Sequence, residues 1–409
     1  MRGYQEWIRR VQFAFLLVLA FALPLSTSVV SVAAVVVILC WLVGGQWRER
    51  LTEIAGSPMC RALAVYLAVL LLGLLWTESL SDGWEAIRKQ WKLFCLPVFL
   101  TSIQPRQRWL CATAFIAGVV AAILFIDLDR LGCFQLLGME RPHICDTLAD
   151  NHLMLTPMLA FATYLVAHQA VWGGLRRRWR LCLAGLAVLM TINVFLTNGQ
   201  AGHLAFFVLL ALGLFQYFRA HLLRAILIPA LVAPMVFACA YLGSPVFQQR
   251  CQEVIGDLKV YRTNPETSVG LRLHYWRVCA ELIREHPWLG VGTGDFTRAY
   301  VEANNRFLPV VPMTNNPHNQ YVFITAQLGV LGLAALLGLF AVLLWEAARR
   351  RDAWRRIRVA FPVFFLTIML TESYLNLYTG FLFSLFSAML VMRDDNALCA
   401  ASGPEARCA

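Results

Sequence analysis

The sequence predicts an all-α polytopic membrane protein, with about 12 transmembrane helices and one large polar loop that itself carries amphipathic helices. Three observations predict it. Of its 409 residues 59% are hydrophobic, and the mean hydropathy is +0.62, outside the soluble globular range. The apolar residues come in runs close to the roughly 20 that a helix needs to cross a bilayer. The basic residues lie between those runs and form no single patch, so the net charge of +11 reads as loop asymmetry and no nucleic-acid partner is expected.

Taken in order, nine spans are expected within 1–242, at about 10–25, 28–43, 60–76, 90–104, 108–127, 151–171, 181–197, 203–218 and 221–242. The first follows Arg9-Arg10, has a long apolar run and is followed at once by further spans, so it is not a cleavable signal. The fourth is short and begins in charge. A polar loop fills 243–317, and spans at 319–346, 359–375 and 378–392 occupy 318–392, followed by a tail at 393–409. No internal repeat is visible, which argues against inverted-repeat transporter folds. The twelve cysteines include no CxxC pair and no metal-ligand spacing, and many sit in apolar runs as small hydrophobes.

Orientation follows from Arg and Lys. Assigning the amino terminus and every second loop to the cytoplasm gathers most of them there, including Arg176-Arg177-Arg178, Arg349-Arg350-Arg351 and Arg355-Arg356. Both termini, with the tail, are then cytoplasmic and the 243–317 loop is outside, which in a bacterium is the periplasm. Arg88, Lys89 and Lys92 fall on that outer face against the bias and need their own explanation. Cys133 and Cys145 share one outer loop, in a compartment that permits a disulfide, although spacing alone does not decide it.

Within the large loop, 270–286 reads as a helix. Leu271, Tyr275, Val278 and Leu282 recur along one face, and Arg272 and Trp276, four apart, share another. Such a helix would lie along the membrane surface or cap the bundle. Pro287 ends it, and Gly290-Val291-Gly292-Thr293-Gly294 turns the chain. The loop runs out through Thr314-Asn315-Asn316-Pro317-His318-Asn319 into an apolar segment. Asn316 is the expected cap of that helix with Pro317 at its first position, which puts His318 in the first turn, at the positive end of the helix dipole.

Three stretches carry a resemblance: Gly270-Leu271-Arg272-Leu273-His274-Tyr275-Trp276, His286-Pro287-Trp288-Leu289-Gly290-Val291-Gly292, and Pro317-His318-Asn319 leading to Leu328-Gly329-Val330-Leu331-Gly332. With the span pattern, they resemble the O-antigen ligase and polymerase superfamily of lipid-linked oligosaccharide transferases. The resemblance implies a GT-C-like membrane fold in a Gram-negative inner membrane and a functional Arg and His pair that maps onto Arg272 and His318. A further Arg of the family follows a Thr-x-Ser-type turn. Here the turn reads Thr197-Asn198-Gly199-Gln200, so Gln200 stands where Arg is expected, and the turn's role is in doubt unless Arg88, Lys89 or Lys92 supplies the missing charge.

The resemblance also implies a reaction: glycosyl transfer, without metal or cofactor, from an undecaprenyl-pyrophosphate-linked glycan to lipid A-core, among the membrane lipids that surround both. Relatives extend the lipid-linked glycan or glycosylate protein. Such a site must hold the pyrophosphate and accept a proton from the incoming hydroxyl. Arg272 suits the first because a guanidinium binds phosphate in bidentate fashion. His318 suits the second, since imidazole titrates near neutrality. Arg88, Lys89 and Lys92 are candidates for the second phosphate.

Each has a plainer role available. Arg272 could anchor its helix to lipid phosphates or pair with Glu266 or Asp295, His318 could be a capping or interfacial histidine, and the three cations could snorkel to headgroups. Glu372, ionisable at a span end, could orient His318, position the acceptor or pair with an Arg. Trp276, Asn319, Asn151 and Gln200 are supporting candidates. A transporter or flippase is the other functional class, and it should show polar residues at mid-span. Here polar residues gather at the outer ends.

Overall fold

A computed structural model of the protein describes residues 2–137, 139–140, 142–261, 263–264, 266–307 and 313–392. The 393–409 tail and the 308–312 part of the predicted loop lie outside the described residues. All regular structure among the described residues is helical, and every predicted span falls on a helix.

Among the described residues seven helices are long and apolar enough to cross a membrane: Pro58–Leu75, Pro105–Arg130, His152–Trp172, Arg177–Leu196, Gln200–Phe218, Leu222–Gly243 and Gln320–Arg349. An eighth is reached if Thr27–Val43 and Trp47–Gly56, bent by 118°, form one span. The expected count of about 12 is therefore not carried by length and composition. Three of the expected spans are short helices: Trp91–Leu100 with 10 residues, Arg355–Ile368 with 14 and Thr379–Val391 with 13. At 1.5 Å per residue they reach only about 15–21 Å.

The short helices make room for function. Thr379–Val391 is buried along its whole length. The 359–375 segment, expected to run as one helix, ends at Ile368 and becomes an irregular loop before Thr379. Irregular backbone at the edge of a bilayer must find its hydrogen bonds within the protein. Gln320 N–H donates to Met369 O (2.9 Å), Gln320 Oε1 accepts from Leu375 N (3.2 Å) and Asn319 Nδ2 donates to Leu370 O (3.2 Å).

Between the bundle's two ends the core is aromatic. Phe115, Phe161, Phe361, Phe364 and Phe386 are fully buried and stack on one another, with centroids 5.0 Å apart for Phe161–Phe364 and 5.4 Å for Phe361–Phe386. Large apolar side chains such as Val32, Leu75, Val188 and Leu231 are exposed on the outside, as they are where lipid is the solvent.

The described residues of the polar insert fold as three helices, Pro245–Val260, Ser268–Glu285 and Phe296–Phe307. Thr267 caps the second, its side chain accepting from Gly270 N (3.2 Å), so the expected 270–286 helix is present within two residues. Its buried face of Tyr275, Val278, Cys279 and Leu282 packs with Phe296, Tyr300 and Ala303 and with Ala326 of the following long helix. The insert therefore caps the bundle through a second, smaller core.

A backbone splice fastens the insert. The Gln320–Arg349 helix is broken at Gly329 (φ 64°). An unbroken helix would bond Val330 N to Ala326 O and Leu331 N to Gln327 O. Both carbonyls instead accept from the insert, from Val291 N (3.1 Å) and Gly292 N (2.9 Å), while Val330 N and Leu331 N donate to Pro287 O (2.9 Å) and Trp288 O (3.3 Å). Four bonds replace two, and each of the four groups freed by the break keeps a partner. The glycine-rich turn continues onto the end of Pro58–Leu75, where Thr293 Oγ1 donates to Leu70 O (2.7 Å).

Candidate active site

His318 sits two residues before the helix it was expected to open, one before its cap. Asn319 is the cap, its Oδ1 accepting from Tyr321 N (3.0 Å) and Val322 N (3.1 Å), and the helix begins at Gln320. The expected arrangement, with Asn316 capping and Pro317 at the first position, fails because Asn316 Oδ1 is engaged locally by His318 N (3.1 Å). That is an asparagine turn, which competes with helix capping. His318 takes φ +52°, a left-handed conformation uncommon outside glycine. Trp276 Nε1 donates to Pro317 O (2.9 Å), and the Tyr275 ring stacks near the imidazole at 6.2 Å. The insert helix thus fixes the turn from above.

From the other side comes Glu372, in the loop between Arg355–Ile368 and Thr379–Val391. Its side chain is 2% exposed, and His318 Nδ1 lies 2.5 Å from its Oε2. It also accepts from Asn316 Nδ2 and Ser373 N (2.7 Å). Burial works to raise its pKa, but the hydrogen bond and charge of His318, with the Ser373 and Asn316 bonds, outweigh it and hold the carboxyl below its ordinary 4.5. Of the roles open to Glu372, the geometry matches orientation of His318. An ionised carboxylate only accepts, so Nδ1 carries the proton and Nε2 presents its lone pair.

Arg272 Nη1 donates to Gln200 Oε1 (2.9 Å). The two line a cleft of about 190 Å³ together with His152, Asn198, Arg250 and Thr371. Gly199 and Gly202 set the turn close: a Cβ at either would come within 2.3 Å of Thr156. Among the described residues no carboxylate pairs with Arg272, unlike Arg250, which bonds Glu253 (2.6 Å) and Asn198 Oδ1 (3.2 Å). Thr371, next to Glu372, joins the cleft to the histidine. Burial, with the Glu372 charge, raises the Tyr374 phenol's pKa, while a Thr371 hydrogen bond and the Arg272 charge oppose it.

The other expected cations stand elsewhere. Arg88 is exposed on the Leu80–Lys89 helix. Lys89 pairs with Glu85 (2.8 Å) and lines a second, larger cleft with Asn316 and Ser373. Lys92 is buried, donates to Asn376 O and lies 5.5 Å from the Tyr378 ring centroid. The second cation beside Arg272 is Arg250, which the sequence did not single out. No local pattern marks it, for it reaches the turn across 52 residues. Asn151 precedes the His152–Trp172 helix without a side-chain cap bond, and its neighbour His152 lines the cleft. Asn319 and Trp276 hold backbone. No disulfide joins Cys133 to Cys145 among the described residues, and Cys145 Sγ is directed at Phe125 O (3.9 Å). Among the described residues no cluster of His, Cys, Asp and Glu is arranged to hold a metal ion.

Residues 185–337 match the family model described as O-antigen ligase. No curated protein matches the chain. The matched stretch contains Gln200, Arg250, Arg272, Trp276 and His318 and both partners of the Gly290–Gly329 splice, while Glu372 and Lys89 fall outside it. Through that stretch, which holds Arg272, Arg250 and His318, the chain is similar to the O-antigen ligase family.

Proposed function

We propose that this protein is a glycosyltransferase of the periplasmic face of the Gram-negative inner membrane, moving O-antigen glycan from undecaprenyl pyrophosphate to a sugar hydroxyl of lipid A-core. The observation that carries the proposal is the His318–Glu372 pair beside a cleft that holds Arg272 and Arg250. The acceptor hydroxyl attacks the anomeric carbon, and its proton passes to His318 Nε2. The bond from that carbon to the pyrophosphate oxygen breaks, and undecaprenyl pyrophosphate leaves with the electron pair. Arg272, with Arg250 beside it, meets the charge that develops on the leaving oxygen, an interaction worth a few kcal/mol in a preorganised site. A single displacement inverts the anomeric centre. Pyrophosphate is already a good leaving group, so the site needs no strong general acid.

Polymerisation of the lipid-linked glycan and transfer to protein would use the same groups, and they differ from ligation in the acceptor alone. A transport path would need a polar way through the bundle, and the stacked phenylalanines at its centre oppose one. The test is transfer by purified protein in detergent with EDTA, offering undecaprenyl-pyrophosphate glycan and lipid A-core. Glycan on the core, lost in Arg272→Ala and His318→Ala, is expected. Longer lipid-linked chains with the core untouched would mean a polymerase, and no transfer to any acceptor would overturn the proposal.

A further inference from the structure

The loop that carries Glu372 stands between two clefts of opposite character. Thr371 lines the one with Arg272 and Arg250. Ser373 and Asn376 line the other, of about 510 Å³, and Glu372 and its bonded His318 sit at the divide. In the second cleft the cations are already matched. Lys89 pairs with Glu85 (2.8 Å), and Arg298 with Glu78 and Asp295. What remains is the exposed Asp82 carboxylate and a wall rich in amides. Gln90 is 6% exposed, lines the cleft and donates from Nε2 to Asn376 Oδ1 (2.9 Å). Its Oε1 has no hydrogen-bond partner among the described residues. Whichever way the amide is turned, one of its two polar atoms is left over, and a buried polar group without a partner is costly.

A pyrophosphate finds no unpaired cation there. A sugar hydroxyl, which both donates and accepts, satisfies the spare amide atom and its neighbours. Asn316 ties the place to the chemistry, because it lines this cleft and bonds Glu372 directly. We propose that the second cleft is the acceptor subsite: it takes an uncharged, hydroxyl-rich sugar of the acceptor glycan, and Gln90 reads a hydroxyl near the one that reacts. The proposal rests on the glycosyltransferase reading and divides its site, with the donor on the Thr371 side and the acceptor on the Ser373 side.

Initial rates with each substrate varied in turn separate the two halves. Gln90→Leu is expected to raise the acceptor KM about tenfold, the scale of one lost hydrogen bond, and to leave the donor KM unchanged. Arg250→Ala is expected to do the reverse. Ala86→Trp fills the cleft from the partly exposed Leu80–Lys89 helix and should abolish acceptor saturation. Calorimetric titration of the delipidated core oligosaccharide into His318→Ala protein reads the subsite without turnover. Heat of binding that disappears when Ala86→Trp is added to that protein, and persists when Arg250→Ala is added, supports the subsite. Heat that survives Ala86→Trp, no heat in His318→Ala alone, or a donor KM that moves with Gln90→Leu would overturn it. Absent transfer by wild type, with core oligosaccharide still binding, would count against the reaction and not against the subsite.

Discussion

His318 Nδ1 and Glu372 Oε2 lie 2.5 Å apart, with the carboxylate almost completely buried. The pair sets which imidazole nitrogen is free, because a carboxylate that only accepts forces the proton onto Nδ1. In Glu372→Gln the amide can donate to Nδ1 and drive the proton to Nε2, where a base needs its lone pair. The expected outcome is a fall in kcat of about 10²–10⁴-fold, with the donor KM changed little, because the carboxylate touches neither phosphate nor sugar. A kcat within threefold of wild type would remove Glu372 from the mechanism.

The same carboxylate makes stability depend on pH with a defined sign. Its folded pKa lies below the ordinary 4.5, lowered through His318, Ser373 and Asn316 against the effect of burial. Protonation therefore favours the unfolded chain, and the contribution is fully present above the unfolded value and lost as pH falls through the folded one. The Tm difference between wild type and Glu372→Gln is expected to shrink as pH falls below about 4.5. A difference that widens on acidification would contradict the depressed pKa.

Arg272 is held by a neutral amide, Gln200 Oε1 at 2.9 Å, so its charge is not spent on a carboxylate. Arg272→Lys keeps the charge but loses the planar fork that meets two phosphate oxygens at once. Its kcat/KM is expected to fall about 10–100-fold, and Arg272→Ala further. Full activity in the lysine variant would show that a point charge suffices there.

Hydropathy made the spans visible and helical periodicity made the Ser268–Glu285 helix visible, because both are written in neighbouring residues. Arg272 and His318 were singled out through motif context. What the local pattern left open was settled by contacts between distant parts of the chain. Asn319 caps the helix in place of Asn316 because it makes two backbone bonds there, while Asn316 turns back on His318 and reaches Glu372. The 359–375 segment reads as one helix by hydropathy, yet it ends at Ile368 because the loop after it is taken up by Gln320 and Asn319. Arg250 carries no mark of its own and gains its place beside Arg272 only when the Pro245–Val260 helix docks on the Asn198 turn. The glycines of Gly290-Val291-Gly292 and Gly329 were legible as punctuation, and their partnership with each other was not.

That partnership makes the last prediction. At Gly329 the backbone is left-handed (φ 64°), and a Cβ would stand 2.2 Å from the Trp288 carbonyl carbon. With ψ at −161° this is a region essentially reserved for glycine, costing an L-residue about 1–3 kcal/mol, and a collision with backbone cannot be relieved by a rotamer. Gly329→Ala must therefore pull the insert off the long helix and expose the four bonds of the splice. Gly338 lies on the same helix with nothing within 4 Å of its Cβ position, and alanine there should be neutral or stabilising by up to about 1 kcal/mol. Melting both variants in detergent separates the causes. A Tm drop of many degrees at Gly329 with none at Gly338 is expected, together with loss of the His318 site, since Trp276 of the insert no longer holds Pro317. Equal effects at the two positions would mean that the break is a matter of helix propensity and that the insert is fastened elsewhere.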